Sequence, residues 1–445
     1  MLLRVVTSDI TGAIVSIERD GEISYRTGER ITASHNLKRG VSMSQTLTRE
    51  ADVADTTVRP FRIEVPEEAI TDLRRRIADT RWPERETVSD LSQGAPLAKV
   101  QELVQYWGSS YDWRKVEAKL NALPQFVTSI DGVDIQFAHV RSPHPDAMPL
   151  IITHGWPGSV LEMLGVIGPL TDPTAHGGSA GDAFDLVVPS IPGYGFSAEP
   201  AEAGWNVGRV AAAWAELMRR LGYTRYVAQG GDVGAAVTDA MGRQAPDGLL
   251  GIHMNLLLAG LGGGYPSPDP SAEERAALDA IATFRTSGNG YLIEQNTRPQ
   301  TIGYALLDSP AALAAWMLDH DTDSYYKISR AFAGGQPSGG LTRDRVLDNI
   351  TLYWLTGTGA SAARLYWEDA QAAARAAGQP RPEVKLPVGC TTVPGEIFRA
   401  PRSWVEKTYP NVTYFHEAAR GGHFAAWEEP ELFATEIQAA FSPLR

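Results

Sequence analysis

Three residues carry the chemistry open to this chain: Asp232, Glu396 and His423. Asp232 lies in Tyr226-Val227-Ala228-Gln229-Gly230-Gly231-Asp232-Val233-Gly234, which reads as a short buried strand turning sharply into a helix. Gly230 and Gly234 sit two positions to either side of the acid, as a strained and closely packed strand-to-helix turn requires. Such a turn projects its tip residue into a cleft, and the positive end of the following helix helps keep a carboxylate there ionised. Read alone, the stretch also fits an Asp that caps an ordinary helix after a strand.

The rest of the chain weighs against that plainer reading. A nucleophile, then an acid, then a histidine, each at the end of a strand, is the chain order of α/β-hydrolases, with Asp here where ester-cleaving members carry Ser. Glu396 lies in Val393-Pro394-Gly395-Glu396-Ile397 and His423 in Arg420-Gly421-Gly422-His423-Phe424. A surface Glu is commonplace, and Glu396 gains weight only because its loop precedes that of His423. A histidine in a Gly-Gly-His-Phe loop has little packing reason to be there, and it completes the order.

An Asp in place of Ser changes the chemistry. A Ser that opened an epoxide would be left as an ether, which a histidine and water do not cleave. An Asp is left as an ester, which water activated by His423 can attack at the Asp232 carbonyl. The reaction then runs as alkylation followed by hydrolysis. The tetrahedral oxyanion of the second step needs donors, and the backbone N–H groups of Trp156 and Val233 are the expected pair. An Asp at this turn fits both epoxide opening and displacement of a halide from carbon. An alkoxide leaving group is strongly basic and needs a proton, which phenols with pKa about 10 supply. The tyrosines of the 272–378 region favour the epoxide. A haloalkane-type dehalogenase, or a silent binding protein on the same fold, are the alternatives.

The elements that position these residues follow from patterning. Leu150-Ile151-Ile152 and Phe184 to Pro189 read as buried strands, with Thr153-His154-Gly155-Trp156-Pro157-Gly158 a rigid turn after the first. Ser159 and Glu162 have capping-box spacing, so a helix is expected there. Asn206 caps a helix carrying Val207, Val210, Ala211, Trp214, Leu217, Met218 and Leu221 on one face, and Gly222 ends it. Strands alternating with amphipathic helices predict a mostly parallel sheet covered on both faces. Gly260 to Pro270 reads as a linker. Ala272 to Gly378 is helical by pattern and reads as a lid over the carboxyl edge of the sheet, its aromatics mostly packing residues. Val384 to Gly389 and Val412 to Phe415 return as strands, and a helix closes the chain from about Pro430.

Upstream, Pro66 suits a helix start and Ile70, Leu73 and Ile77 share its face. Leu97 to Trp107 and Trp113 to Leu120 are further helices, and Phe126 to Val140 a hairpin around Asp131-Gly132. Ile14 to Ile17 and Ile23 to Tyr25 fit a small hairpin around Asp20-Gly21. Thr27 to Thr57 is polar and reads as a flexible lead, with Met43 an alternative start of translation.

Composition narrows the partners. Of 445 residues, 43% are hydrophobic and 21% charged, as in a soluble globular protein. The net charge of −13 argues against a nucleic-acid partner. The single cysteine, Cys390, leaves no intrachain disulfide framework and fits a reducing compartment. No apolar run reaches the roughly 18 residues of a membrane span, and the start lacks the shape of a signal peptide. A cytoplasmic enzyme is the expectation.

These motifs together resemble the epoxide hydrolases of the microsomal and juvenile-hormone type, including soluble bacterial members. The resemblance runs from about Arg59 to the end. It rests on Pro60-Phe61-Arg62-Ile63 through Arg81-Trp82-Pro83, on His154-Gly155-Trp156-Pro157-Gly158-Ser159, on Gly230-Gly231-Asp232, and on Gly421-Gly422-His423-Phe424-Ala425-Ala426. It implies an α/β-hydrolase fold with a helical lid and an N-terminal meander. The expected division is an extension (1–58), the meander (59–146), the core with Asp232 (147–259), the lid (260–380) and the core with Glu396 and His423 (381–445). It implies Asp232 as nucleophile, His423 as base and Glu396 as the acid that orients it. The two ring-opening tyrosines of the family fall at Tyr366, in Arg364-Leu365-Tyr366-Trp367, and at Tyr291, in Gly290-Tyr291-Leu292, with Tyr304, Tyr325 and Tyr326 in reserve. No cofactor and no metal are implied. The partner is a small-molecule epoxide, with no membrane, and a homodimer is one possible assembly. Detoxification and natural-product biosynthesis are the settings this resemblance offers. Two departures stand out: residues 1–58 hold no membrane anchor, and Val233 replaces the Trp that many relatives carry after the nucleophile, which widens the pocket for a bulky substrate.

Overall fold

Strands buried on both faces need no polar alternation, and the central strands here show none. The computed structural model describes residues 56–90, 92–257, 265, 267–319 and 341–445, and the backbone of two strands nearer the start. The chain divides into two units, Met1–Asp52 and Val53–Arg445. In the first, β1 (Ile14–Ile17) and β2 (Ile23–Arg26) pair antiparallel, Ile14 opposite Arg26 and Ile17 opposite Ile23. That is the expected hairpin. Its Asp20-Gly21 turn, Met43 and residues 27–55 of the expected lead lie outside the described residues.

In the second unit nine strands form one sheet among the described residues. They are β3 (Arg59–Pro60), β4 (Gln125–Ile130), β5 (Val133–Val140), β6 (Met148–Thr153), β7 (Phe184–Pro189), β8 (Tyr226–Gly230), β9 (Leu249–Met254), β10 (Val388–Thr392) and β11 (Val412–Glu417). Their order is β11-β10-β9-β8-β6-β7-β5-β4-β3. From β7 to β11 neighbours run parallel, while β5, β4 and β3 pair antiparallel at one edge. The chain goes from β6 to β7 on one side and then returns to β8 on the other. The carboxyl ends of β6 and β8 therefore bound the switch point where parallel sheets open a crevice. Leu150, Ile151 and Ile152 are wholly buried in β6, as is every residue of β8.

The helix Val207–Arg220 buries Val210, Ala211, Ala213, Trp214, Leu217 and Met218, and Asn206 Oδ1 accepts the Arg209 N–H at 3.1 Å. Each large apolar side chain so buried contributes about 1.5–3 kcal/mol. Trp214 also donates its indole N–H to Thr153 Oγ1 at 3.0 Å, which ties this helix to the end of β6.

Two expectations shift. The first of the returning strands is Val388–Thr392 rather than Val384 to Gly389. Pro387 has no N–H to give to a ladder, so pairing begins after it. After Ser159 the chain makes a 3-10 turn, Val160–Gly165, rather than an α-helix. Between 272 and 375 the described elements are helical: Ala272–Thr283, Gly290–Thr297, Pro299–Asp308, Pro310–Leu318, Arg343–Thr356 and Gly359–Arg375, with a π-turn at Phe284–Gly288. Most of the expected linker, 258–264 and 266, lies outside the described residues, as do 320–340.

Candidate active site

Asp232 ends the β8 loop with φ +52° and ψ −126°, a conformation costing an L-residue about 1–3 kcal/mol. The strain is held by close packing. A Cβ at position 234 would overlap the carbonyl of Thr153, so only glycine lets the helix Val233–Gln244 lie this close to β6. Asp232 makes no side-chain cap bond to that helix. Its Oδ1 instead accepts the backbone N–H of Trp156 at 2.8 Å. The ordinary-cap reading therefore fails on geometry.

Oδ2 of Asp232 lies 3.5 Å from Nε2 of His423. On the other side of the ring, Nδ1 of His423 is 2.6 Å from Oε1 of Glu396, which also accepts the Ile397 N–H at 2.8 Å. The side chains of His423 and Glu396 are 1% and 2% exposed, against 15% for Asp232, so of the three only Asp232 has an open side. The loops of acid and histidine are fastened together: Gly395 bridges Gly422 in parallel, and the Gly395 N–H donates to the Gly421 carbonyl at 3.0 Å. Burial opposes charge on His423, but the carboxylates of Glu396 and Asp232 outweigh it and lift the imidazole well above its ordinary range.

The turn that presents the Trp156 N–H is pinned from both sides. His154 is wholly buried, and burial lowers its pKa to about 4, so the ring is neutral. Its Nδ1 lies 3.0 Å from the Gly155 carbonyl and its Nε2 accepts the Ile191 N–H at 3.2 Å. From the helix Arg343–Thr356, Asn349 Nδ2 donates to the Pro157 carbonyl at 2.6 Å and the Tyr353 hydroxyl to the Gly158 carbonyl at 2.7 Å. Neither residue stood out in the sequence as more than packing. Val233 opens its helix, and first-turn N–H groups have no acceptor within a helix.

Tyr291 and Tyr366 both close over this turn. The Tyr291 ring stacks on Trp156 at 5.0 Å between centroids, and Tyr366 meets Trp156 edge-on at 6.1 Å and Tyr291 at 6.3 Å. The Tyr366 hydroxyl is buried with no hydrogen-bond partner among the described residues. Burial first, and then the charge of Asp232, push its pKa well up, so the phenol holds its proton. Of the reserve tyrosines, Tyr304 is 70% exposed, while Tyr325 and Tyr326 lie outside the described residues. A cavity of about 20 Å³ touches Thr153, His154, Glu162, Asp232, Asn255 and His423. Among the described residues no group of His, Cys, Asp and Glu is placed to hold a metal ion. No helix among them is long and apolar enough to cross a membrane.

A mostly parallel sheet with an acid at the strained turn after β8, and an acid–histidine pair on the last two strand ends, defines an α/β-hydrolase. A model of the epoxide hydrolase N terminus matches residues 58–163, and one of the alpha/beta hydrolase fold matches 148–307. A Stigmatella aurantiaca protein whose name also places it among epoxide hydrolases is 52% identical over 393 residues, covering 87% of this chain and 86% of its own. Epoxide hydrolase 1 of Sus scrofa is 35% identical over 416 residues, covering 88% and 90%. Among solved structures, juvenile hormone epoxide hydrolase from Bombyx mori matches with TM-score 0.72 at 30% identity, over 88% of this chain and 95% of that one. Aspergillus niger epoxide hydrolase matches with TM-score 0.74 at 31% identity, over 88% and 98%. The chain belongs to the epoxide hydrolase family.

Proposed function

We propose that this enzyme converts a small-molecule epoxide to a vicinal diol through an ester on Asp232. The observation that carries the reading is the split environment of the Asp232 carboxylate. One oxygen is held by the Trp156 N–H at 2.8 Å, and the other faces His423 at 3.5 Å. The second oxygen attacks a ring carbon while Tyr366, with Tyr291 beside it, gives a proton to the departing epoxide oxygen. Two side chains from the helices Gly290–Thr297 and Gly359–Arg375 thus act as part of a lid.

The cycle closes without an outside proton. At rest His423 is an imidazolium between two carboxylates. Esterification removes the charge of Asp232, so the imidazole passes its proton to the phenolate left by ring opening. Neutral His423 then takes a proton from water as the water attacks Cγ of Asp232. The oxyanion is held by the N–H groups of Trp156 and Val233. Collapse releases the diol, whose oxygen takes the proton from His423. The carboxylic acid returns its own proton to the imidazole.

Burial of Cys390 and the absence of any disulfide demand suit a reducing compartment, and a cytoplasmic location is our placement. Replacing His423 by Gln tests the reading: with excess epoxide, the intact protein gains the mass of one substrate and turnover stops. Turnover without an adduct would contradict it. Halide release from haloalkanes with no diol from any epoxide would move the assignment to dehalogenation.

A further inference from the structure

Glu162 has no part in the scheme above, yet its side chain lines the same cavity as the catalytic pair. It is 7% exposed, and its Oε1 is buried with no hydrogen-bond partner among the described residues. The carboxyl fills the space beside Gly158: a Cβ at position 158 would overlap Glu162 Oε1. A side chain there would displace the acid from the cavity, so the glycine of this turn and the acid four residues later form one arrangement. The Ser159 backbone acts on the carboxyl as a cap partner would, yet Oε1 stays unsatisfied, and an unsatisfied buried carboxyl oxygen is costly.

Glu162 also lines the cavity of about 20 Å³ shared with Asp232 and His423. A polar cavity needs about 10–15 Å³ to hold a water, so this one has room for a single molecule and little more. A space that small sets its occupant against the groups lining it. We propose that this cavity holds the water that hydrolyses the ester, and that Glu162 is the residue that positions it. The inference rests on the covalent route proposed above. The water oxygen bonds to Cγ of Asp232 while His423 Nε2 takes one of its protons. The O–H that remains donates to the Glu162 carboxyl, which turns a lone pair toward the carbon. The Cγ–O bond to substrate then breaks, and that oxygen leaves with the proton from His423. Burial first, reinforced by Asp232 and opposed by His423 and the Ser159 backbone, raises the Glu162 carboxyl to about 8. Protonated or not, it keeps an oxygen that accepts.

Rapid-quench single turnovers with styrene oxide separate the two steps. Glu162→Ala should leave the alkylation rate within about three-fold and slow ester hydrolysis by about 10- to 100-fold, the scale of lost positioning. The ester should then dominate the steady state by intact mass. Glu162→Gln keeps an acceptor oxygen and should hydrolyse within about three-fold of the parent. If Glu162→Ala does not fold, Glu162→Leu, close in volume and unable to hold a water, carries the same expectation. Equal loss in both steps, loss in alkylation alone, or unchanged hydrolysis would overturn the inference. An ester that forms in the parent and in His423→Gln, with hydrolysis indifferent to position 162, would sink this inference alone. No ester in either would sink the covalent route itself.

Discussion

The N–H of Trp156 donates to Oδ1 of Asp232 at 2.8 Å across 76 residues of chain, so a backbone donor holds the carboxylate before any substrate arrives. That contact decides which oxygen does what. In the proposed route Oδ1 becomes the carbonyl oxygen of the ester and then the oxyanion. Oδ2, on the open side and 3.5 Å from His423, is left to attack. The donor is placed in advance, which avoids reorganisation when charge develops.

Ring opening should depend on Tyr366. Its hydroxyl is buried, unpartnered among the described residues, and held in the protonated form by burial and by Asp232. Tyr366→Phe should lower the single-turnover alkylation rate by about ten-fold or more, the low end of a lost general acid. Once formed, the ester should break down at the parent rate. An unchanged alkylation rate would remove Tyr366 from the reaction.

The pins on the oxyanion turn should affect rate and stability together. Asn349→Ala frees the Pro157 carbonyl, and Tyr353→Phe frees that of Gly158, both in buried surroundings. Each should cost about 1–3 kcal/mol in urea unfolding, as expected for an orphaned buried acceptor. Each should also slow ester hydrolysis more than alkylation, because Trp156 loses its placement. A variant with full stability loss and unchanged hydrolysis would mean that the pins serve the fold only.

Stability should fall with rising pH through Glu162. Below about pH 4.5 the folded and unfolded chains both hold this proton. Between about 4.5 and 8 the folded chain keeps a proton that the unfolded chain releases, so each added pH unit favours unfolding. The slope for one such group is about 1.4 kcal/mol per unit, and it ends above about pH 8. Gln does not ionise, so urea midpoints of the parent should drop relative to Glu162→Gln between pH 5 and 8. Parallel midpoints would show that Glu162 is not held protonated by the fold.

Much of this was legible in the chain. The strand-to-helix turn at Asp232, the order of acid and histidine, the buried strands and the Asn206-capped helix all rest on local pattern and spacing. Tyr291 and Tyr366 came only through family likeness, since phenols scattered over helices carry no periodic signal. The contacts of Asn349 and Tyr353 join segments 192 and 195 residues apart, and no local pattern encodes such a meeting. Glu162 was read through its spacing from Ser159 as a cap partner. Its direction depends on the empty place beside Gly158, which only the folded turn creates. The start of β10 shifted past Pro387 because a missing N–H outweighed apolar content.

The most direct test of the account is one turnover in heavy-oxygen water with enzyme in excess over epoxide. The label should appear in a peptide containing Asp232, and the diol should carry only ordinary oxygen. Label in that first diol, with none in the peptide, would mean that water attacks the epoxide itself and that no ester forms on Asp232.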